Sequence, residues 1–381
     1  MEPKDDSLSA KKDEEKPPPQ VGTLTRKGPF FVPHANGIAS TNMPQNGLLS
    51  FYPHYFQNIL TKREQNYYHT NGHSSLLKSL QIEVFSQIDN CQRLWKEFSL
   101  ETTLFDTWDF RLAFWKGYHH TPYFLVLKNG LDNLALLPLW YESDKNKYFW
   151  FGSWWMEENK FLTKDPLFIP LLLAICPSPV TLNAISTELP PWLEKVIRLK
   201  PDDPKYILRL NTFTSADEYL DTLRKKKRYN FKRDRRIIEA QKPQIIFDNF
   251  TDFDSLVSLS VKRFKGKGED ADWEDPRRVE TFRQVIKLAQ TNGNYKVRLV
   301  TVKIGNKIAA VDLIALFNNC YYPLKCGYDV DKFPGIGSFV NLLEIDDAIS
   351  LGMKKMDFLE IGYGWKDKWF EAVPLLQYEK K

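Results

Sequence analysis

The sequence predicts an α+β fold built as two successive units, each a mostly antiparallel mixed sheet flanked by helices, behind a disordered N-terminal tail. Three observations carry that expectation. At 381 residues the chain exceeds one ordinary core, and 43% hydrophobic with 14% aromatic residues is globular composition. The stretch YFLVLKNGLDNLALLPLWYESDKNKYFWFGS, from Tyr123, parallels VRLVTVKIGNKIAAVDLIALFNNCYYPLKCGYD, from Val297: strand, glycine turn, apolar strand, polar turn, aromatic strand. Any antiparallel meander can produce such a match, and duplication is the reading favoured here. Residues 1–48, by contrast, are rich in Lys, Glu, Asp, Pro and Asn without periodicity. They bury too little apolar surface to offset chain entropy.

The elements follow in order. Residues 49–78 have aromatic clusters but no clear period and form an uncertain extension. From Glu83 to Phe114 the pattern is helical, with a break near Glu101 to Thr103. Strands are expected at Tyr123–Leu127, Leu134–Tyr141 and Tyr148–Phe151, with Asn129-Gly130 as the first turn. A buried helix over Leu167–Ile175 and a strand over Val180–Ile185 complete a first unit, 79–204. The second, 205–381, opens with a strand Tyr206–Leu210, and Ser215 with Glu218 signals the start of a long helix. Strand Ile245–Phe247 and helices Phe253–Phe264 and Val279–Ala289 come next. Strands Val297–Val302, Ile308–Phe317 and Cys320–Tyr328, helix Ser338–Ser350 and strand Lys355–Glu360 close it.

Composition excludes several classes. A net charge of +5 creates no whole-protein field for nucleic acid. The four cysteines form no CxxC pair and the six histidines show no metal-ligand spacing, so neither a metal site nor a disulfide framework is expected. Cys320 and Cys326, an even number of residues apart on one strand, should share a face. His119-His120 are sequence neighbours that point apart, a poor metal pair. The start MEPKDDSLSAKKDEEKPPPQ has no apolar segment of the secretory kind, and Pro166 to Cys176 is too short to span a bilayer. A cytoplasmic protein is expected.

Four features could carry chemistry. In Lys332-Phe333-Pro334-Gly335-Ile336-Gly337-Ser338, between a strand and a helix, the glycines admit a ligand close to the backbone, and the helix start supplies free N–H groups for phosphate. The alternative is a plain Pro-Gly turn with Ser338 as N-cap. Asp312 stands in an otherwise apolar strand, where burial would raise its pKa toward that of a general base, unless a structural partner holds it. Its counterpart in the first unit is Pro138. The tail Asp357 to Trp369 places Glu360, Tyr363 and Lys366 after a strand. Finally, nine of the thirteen residues Arg224 to Arg236 are basic, interleaved with Tyr229 and Phe231. Leu220, Leu223, Phe231 and Ile238 keep a stripe of that helix against the core, so it is either a polyanion-binding face or a solvated one.

Lys332-x-x-Gly335-x-Gly337 resembles the (Arg/Gln)-x-x-Gly-x-(Gly/Ala) loop of GNAT acyltransferases. The string from YYPLKCGYD through PGIGSFVNLLEIDDAISLGMKKMDFLEIG to WKDKW is similar to the FemAB-like and CelD-like branch, which carries two tandem GNAT folds. Lys332 departs from the pattern, adding charge without a planar fork. The resemblance implies an acyl-CoA donor, acetyl-CoA or another, with Lys332, Gly335, Ile336, Gly337 and Ser338 on its pyrophosphate. Leu324, Lys325, Cys326 and Gly327 would pair with its pantetheine arm. It further implies transfer to an amine or hydroxyl, in this branch often on a cell-envelope polysaccharide or precursor. Asp312 would be the base, Tyr363 would protonate the leaving thiolate, and Lys366 would hold an anionic acceptor or steady the oxyanion. Cys326 could instead be a nucleophile, though packing is the commoner role of a strand thiol. Two alternatives stay open: aminoacyl transfer from transfer RNA, as in the FemAB group, and a non-catalytic module whose basic helix binds anionic polymer.

Overall fold

Period-two apolar runs separated by glycine and asparagine turns fold as hairpins, and the positive φ of Gly130, Gly305, Asn318 and Asn319 is what those turns need. The computed structural model describes residues 46–49 and 55–381 apart from Tyr363 and the side chain of Trp154. Its strands are β1 (Asn46–Leu49), β2 (Leu80–Phe85), β3 (Thr121–Asn129), β4 (Asp132–Glu142), β5 (Lys147–Trp150), β6 (Leu162–Thr163) and β7 (Val180–Ser186). There follow β8 (Lys200–Arg209), β9 (Gln244–Phe247), β10 (Lys296–Ile304), β11 (Lys307–Phe317), β12 (Cys320–Tyr328), β13 (Lys355–Glu360) and β14 (Glu371–Lys380). They form one sheet in the order β1-β2-β3-β4-β5-β7-β14-β8-β13-β12-β11-β10-β9, with β6 beside β4.

The duplication is visible in the register. Both hairpins have a two-residue turn, then two paired positions, then one extra residue: Leu134 in β4 and Ala309 in β11. This alignment corrects one expectation, because the counterpart of Asp312 is Leu137 and not Pro138. In each half the third strand then runs parallel to the strand after the next helix, β5 beside β7 and β12 beside β13. The fifth residue of each of those strands has a left-handed backbone, Ala184 at φ 51° and Leu359 at φ 68°. The fold is thus α+β, two tandem repeats fused edge to edge.

The fusion is made by exchange. β14, from the C-terminus, pairs with β7 of the first half and with β8, and β8 pairs with β13. One shared core covers a face of both halves, with Trp95, Phe110 and Phe114 from the first packed with Phe282, Leu299 and Tyr322 from the second. There the helices Trp108–Tyr118 and Pro276–Asn292 approach so closely that a Cβ on Gly117 would lie 1.9 Å from Thr281 Oγ1 and 2.8 Å from the Arg277 carbonyl. The opposite face is covered by Ile169–Ile175 in the first half and by Ile336–Ser350 in the second.

Several sequence expectations change. Glu83–Phe85 is strand rather than helix, the end of β2, because β2 pairs on both edges, with β1 and β3. Residues 46–48, assigned to the tail, belong to β1; the tail up to 45 lies outside the described residues. The long helix after Ser215 breaks at Leu223 into Ala216–Thr222 and Lys225–Glu239. The last helix starts at Ile336 with Gly335 as N-cap, so Ser338 sits inside its first turn. A bulge at Leu324 also separates the two strand cysteines. Cys320 packs with Tyr322 in the shared core while Cys326 faces Asp312 across the other side.

Gly117→Val should remove the helix contact that joins the halves, costing about 3 kcal/mol through overpacking. A thermal melt should show a fall of several degrees; an unchanged melting point would mean the helices part freely there.

Candidate active site at the seam of the sheet

β12 and β13 pair only at their starts, Cys320 with Lys355 and Tyr321 with Met356. Beyond that the bulge at Leu324 and the left-handed Leu359 turn them apart. Asp357 fixes the kink by accepting from the Leu359 N–H at 3.0 Å. The carbonyls freed on β13 are taken by Lys366, whose Nζ donates to Glu360 O at 2.5 Å and Leu359 O at 3.4 Å. The expected strand Leu324 to Gly327 and the expected Lys366 therefore flank one opening.

That opening is lined by charges that burial disfavours. Glu157, from the first half, accepts from the Glu360 N–H at 2.7 Å and lies 4.0 Å from Lys325 Nζ. Burial raises the Glu157 carboxyl, and Lys325 and Lys366 oppose the rise. Glu360 is pushed to about 9 by burial, with Glu157 adding to it, and its Oε1 accepts no hydrogen bond among the described residues. Lys325, whose side chain is 20% exposed, is lowered to about 8 by burial and by the nearby Arg278 guanidinium. Lys366 is lowered too, chiefly by burial. Two carboxyls and two amines driven toward neutrality in one cluster make this a candidate acid–base site. Beside them Lys205 bridges Glu158 and Asp357, with its Nζ 3.2 Å from Asp357. Burial works against the Lys205 charge, but the two carboxylates outweigh it and raise its pKa.

Asp312 faces the other side of β12. It is 2% exposed beneath helix Ile336–Ser350, accepts from the Tyr328 hydroxyl at 2.6 Å, and is cross-strand partner to Cys326. Burial lifts it to about 7 despite Tyr328. Glu344, 1% exposed on the helix, is raised well above the usual range by burial and by Asp312. Neither Glu344 oxygen nor Asp312 Oδ1 has a donor among the described residues, so a proton shared between the two carboxyls is what satisfies them. The Cys326 thiol is pushed up to about 12 by burial and Asp312, which disfavours its thiolate. Gly327 has a packing cause: a Cβ there would lie 2.3 Å from the Leu256 carbonyl. Tyr363 lies outside the described residues.

The loop 332–338 does not fit a pyrophosphate in this structure. Asp234, on Lys225–Glu239, lies against it. Ser338 Oγ donates to Asp234 Oδ2 at 3.1 Å, and a Cβ on Gly335, where φ is 90°, would meet Asp234 Cβ at 3.0 Å. Ile336 N–H donates to Phe333 O at 3.1 Å, and the exposed Lys332 pairs with Asp329 at 3.6 Å. A Cβ on Gly337 would meet nothing closer than the Tyr328 ring at 3.5 Å. For a metal, His120, Glu142 and Asp144 offer ligand atoms within 4.8 Å of one another. Glu142 is already engaged: Lys145 sits 2.7 Å from one oxygen, and the other accepts from Trp140 Nε1 and Ser153 Oγ.

Residues 225–367 match the family described as "Acetyltransferase (GNAT) domain". FemX aligns at 8% identity over 78% of this chain and 97% of its own, with a TM-score of 0.51. A conserved protein of unknown function from Bacteroides thetaiotaomicron aligns at 10% identity over 78% and 99%, also at 0.51. No curated protein sequence matches the chain.

The buried pair predicts a pH effect with a definite sign. Raised carboxyl pKa values mean that the folded state holds protons the unfolded chain has lost, so this contribution to stability falls as pH rises through the folded values. Glu344→Gln should remove much of that loss, gaining melting temperature over wild type as pH goes from about 5 to about 8. A difference that stays flat over that range would rule out the shared proton.

Proposed function

We propose that this chain, whose residues 225–367 match a GNAT acetyltransferase domain and whose fold resembles that of FemX, is an acyltransferase whose chemistry occurs at the seam between β12 and β13. The observation that carries this reading is the joint displacement of Lys325, Glu157, Glu360 and Lys366 toward neutrality around one opening. The acceptor is an amine or hydroxyl entering beside Lys325. Lys325, partly uncharged near neutral pH, takes its proton as the nitrogen or oxygen bonds to the acyl carbon. The backbone N–H left out of the ladder by the Leu324 bulge steadies the oxyanion. As the bond to the leaving group breaks, Glu360, still protonated, donates its proton to that group. Glu157, 4.0 Å from Lys325 Nζ and bonded to the Glu360 N–H, returns the proton from Lys325 to Glu360. Lys366 is a positioning residue that holds the carbonyls of β13 and keeps the strands apart. Asp312 as base would require the acceptor beneath helix Ile336–Ser350, where Tyr328 and Glu344 enclose its carboxyl.

Acyl-CoA, such as acetyl-CoA, is the ordinary donor of this fold. The scheme above uses none of its phosphate contacts, because Asp234 stands where they would be made. A cell-envelope polysaccharide or its precursor as acceptor rests on the family resemblance alone. Among the described residues no helix is long and apolar enough to cross a membrane. A cytoplasmic setting belongs to the same proposal, supported by four unpaired thiols.

One observation favours a transfer-RNA-linked donor as a second reading. Lys232, Arg235 and Arg228 of the basic run are paired with Asp217 or Asp221. Arg224, Lys225 and Lys226 are exposed without an acidic partner among the described residues, beside Tyr229 at 60% exposure. This leaves a compact surface for phosphates.

Two tests separate the readings. Lys325→Met and Glu360→Gln should each lower acyl transfer to amine acceptors by about 100-fold or more, and wild-type kcat/KM should follow a bell with limbs near 8 and 9. Full turnover by Lys325→Met would end the assignment of the base. Bulk transfer RNA should bind wild type with a steep salt dependence, and the double variant Lys225→Ala with Lys226→Ala should flatten the slope by about 2. An unchanged slope removes the second reading.

A further inference from the structure

We infer that Asp234 is a specificity-determining residue: its carboxylate lies against the first turn of helix Ile336–Ser350 and keeps a nucleotide pyrophosphate off loop 332–338. The inference rests on the acyl-transfer reading only in that it concerns which donor that site uses.

Three independent features converge on Asp234. The first is contact: it accepts from Ser338 Oγ at 3.1 Å, in the first turn, where a helix start presents unsatisfied N–H groups and favours negative charge. The second is shape. Gly335 lacks a side chain at a point where a Cβ would come 3.0 Å from Asp234 Cβ and 3.3 Å from its Cα. The space that a glycine opens in a phosphate-binding loop is here filled by the neighbouring helix. The third is charge placement. Asp234 is the one acid among the thirteen residues from Arg224 to Arg236, and it faces inward with its side chain 17% exposed. Arg233, 52% exposed, pairs with its other oxygen at 2.8 Å.

The cations that a pyrophosphate would need are likewise engaged. Lys332 lies toward Asp329, which also holds Lys262 at 2.8 Å. A pyrophosphate arriving at the loop would meet the Asp234 carboxylate, itself paired with Arg233, like charge against like, while Lys332 and Lys262 are paired with Asp329. An aspartate at the mouth of the loop is therefore a barrier to the ligand.

Asn is isosteric with Asp and keeps an acceptor for Ser338, so Asp234→Asn removes the charge while preserving the packing on Gly335. Asp234→Ser opens the space as well and is the second variant should the first disturb the fold. Calorimetric titration of the full chain with CoA, and separately with inorganic pyrophosphate, gives the readout, with no turnover involved. The expected result is weak binding of both probes by wild type and at least about tenfold tighter binding of both by the variants, which corresponds to removing one repulsive contact. Tight binding by wild type that the variants leave unchanged overturns the inference. So does the absence of binding in all three proteins, since Asp234 would then not be what excludes the ligand. A gain for CoA without one for pyrophosphate overturns it too, because the phosphates would not be what Asp234 repels. None of these results depends on Lys325 or Glu360, whose variants test the acyl transfer itself.

Discussion

The molecule depends on one buried ammonium. Lys205, 8% exposed on β8, is held between Glu158 of the first half and Asp357 of β13. Removing either carboxylate would leave a charge inside the sheet with part of its compensation gone, a change worth about 3–5 kcal/mol. The arrangement is demanding because β8 lies between β14 and β13, and β14 in turn holds β7. Every strand contact between the halves runs through this exchange. Lys205 does for the seam what a hydrophobic core cannot: it requires specific residues from both halves at one depth and in one register.

The same geometry explains why the candidate site is where it is. A parallel pair that separates after two residues must leave backbone groups and side chains facing a gap, and buried polar groups need partners. Lys366 fills that need for the carbonyls of Leu359 and Glu360, and Glu157 for the N–H of Glu360. Once those ties are made, the remaining charges on Lys325 and Glu360 are incompletely compensated, and their pKa values move toward each other. On the other side of β12, Asp312 and Glu344 meet without a cation in contact and settle the same problem by retaining a proton. One strand thus carries two polar clusters with different outcomes. The seam cluster reaches solvent at Lys325; the other is sealed beneath a helix.

Much of this was legible in the sequence, for identifiable reasons. The hairpins were, because strand alternation and Asn-Gly or Gly-Asn turns are local signals. The helix and strand around Gly335 were, because caps and periods are local too. The buried Asp312 was found by its contrast with the apolar residues around it. What the sequence did not reveal came from pairings distant along the chain. β14 has no strong alternation and owes its existence to β7 and β8. Glu157 and Lys205 look like ordinary surface charges until the halves are joined. Glu344 is hidden in a helix whose apolar residues mask it. Gly327 and Gly335 read as ligand-binding glycines, whereas the backbone of Leu256 and the side chain of Asp234 account for them. A glycine signals close approach, and only the structure says by what.

The tandem arrangement also lets the two halves supply different parts of the seam. In each half the chain leaves its third strand through a loop that leads into a helix: 151–168 after β5 in the first, 329–335 after β12 in the second. The second loop is short and turns directly into the start of a fifteen-residue helix. The first is long, passes through β6 and ends in a seven-residue helix that begins Ile169-Pro170. A proline at that start removes one of the N–H groups an anion would use, so the first loop has lost the features of a phosphate cradle. Its added length instead carries Glu157 and Glu158 to the seam, where one contacts Lys325 and the other Lys205. Duplication supplied two equivalent loops. One remained at a helix start, and the other became the source of the carboxylates on which the neighbouring half depends.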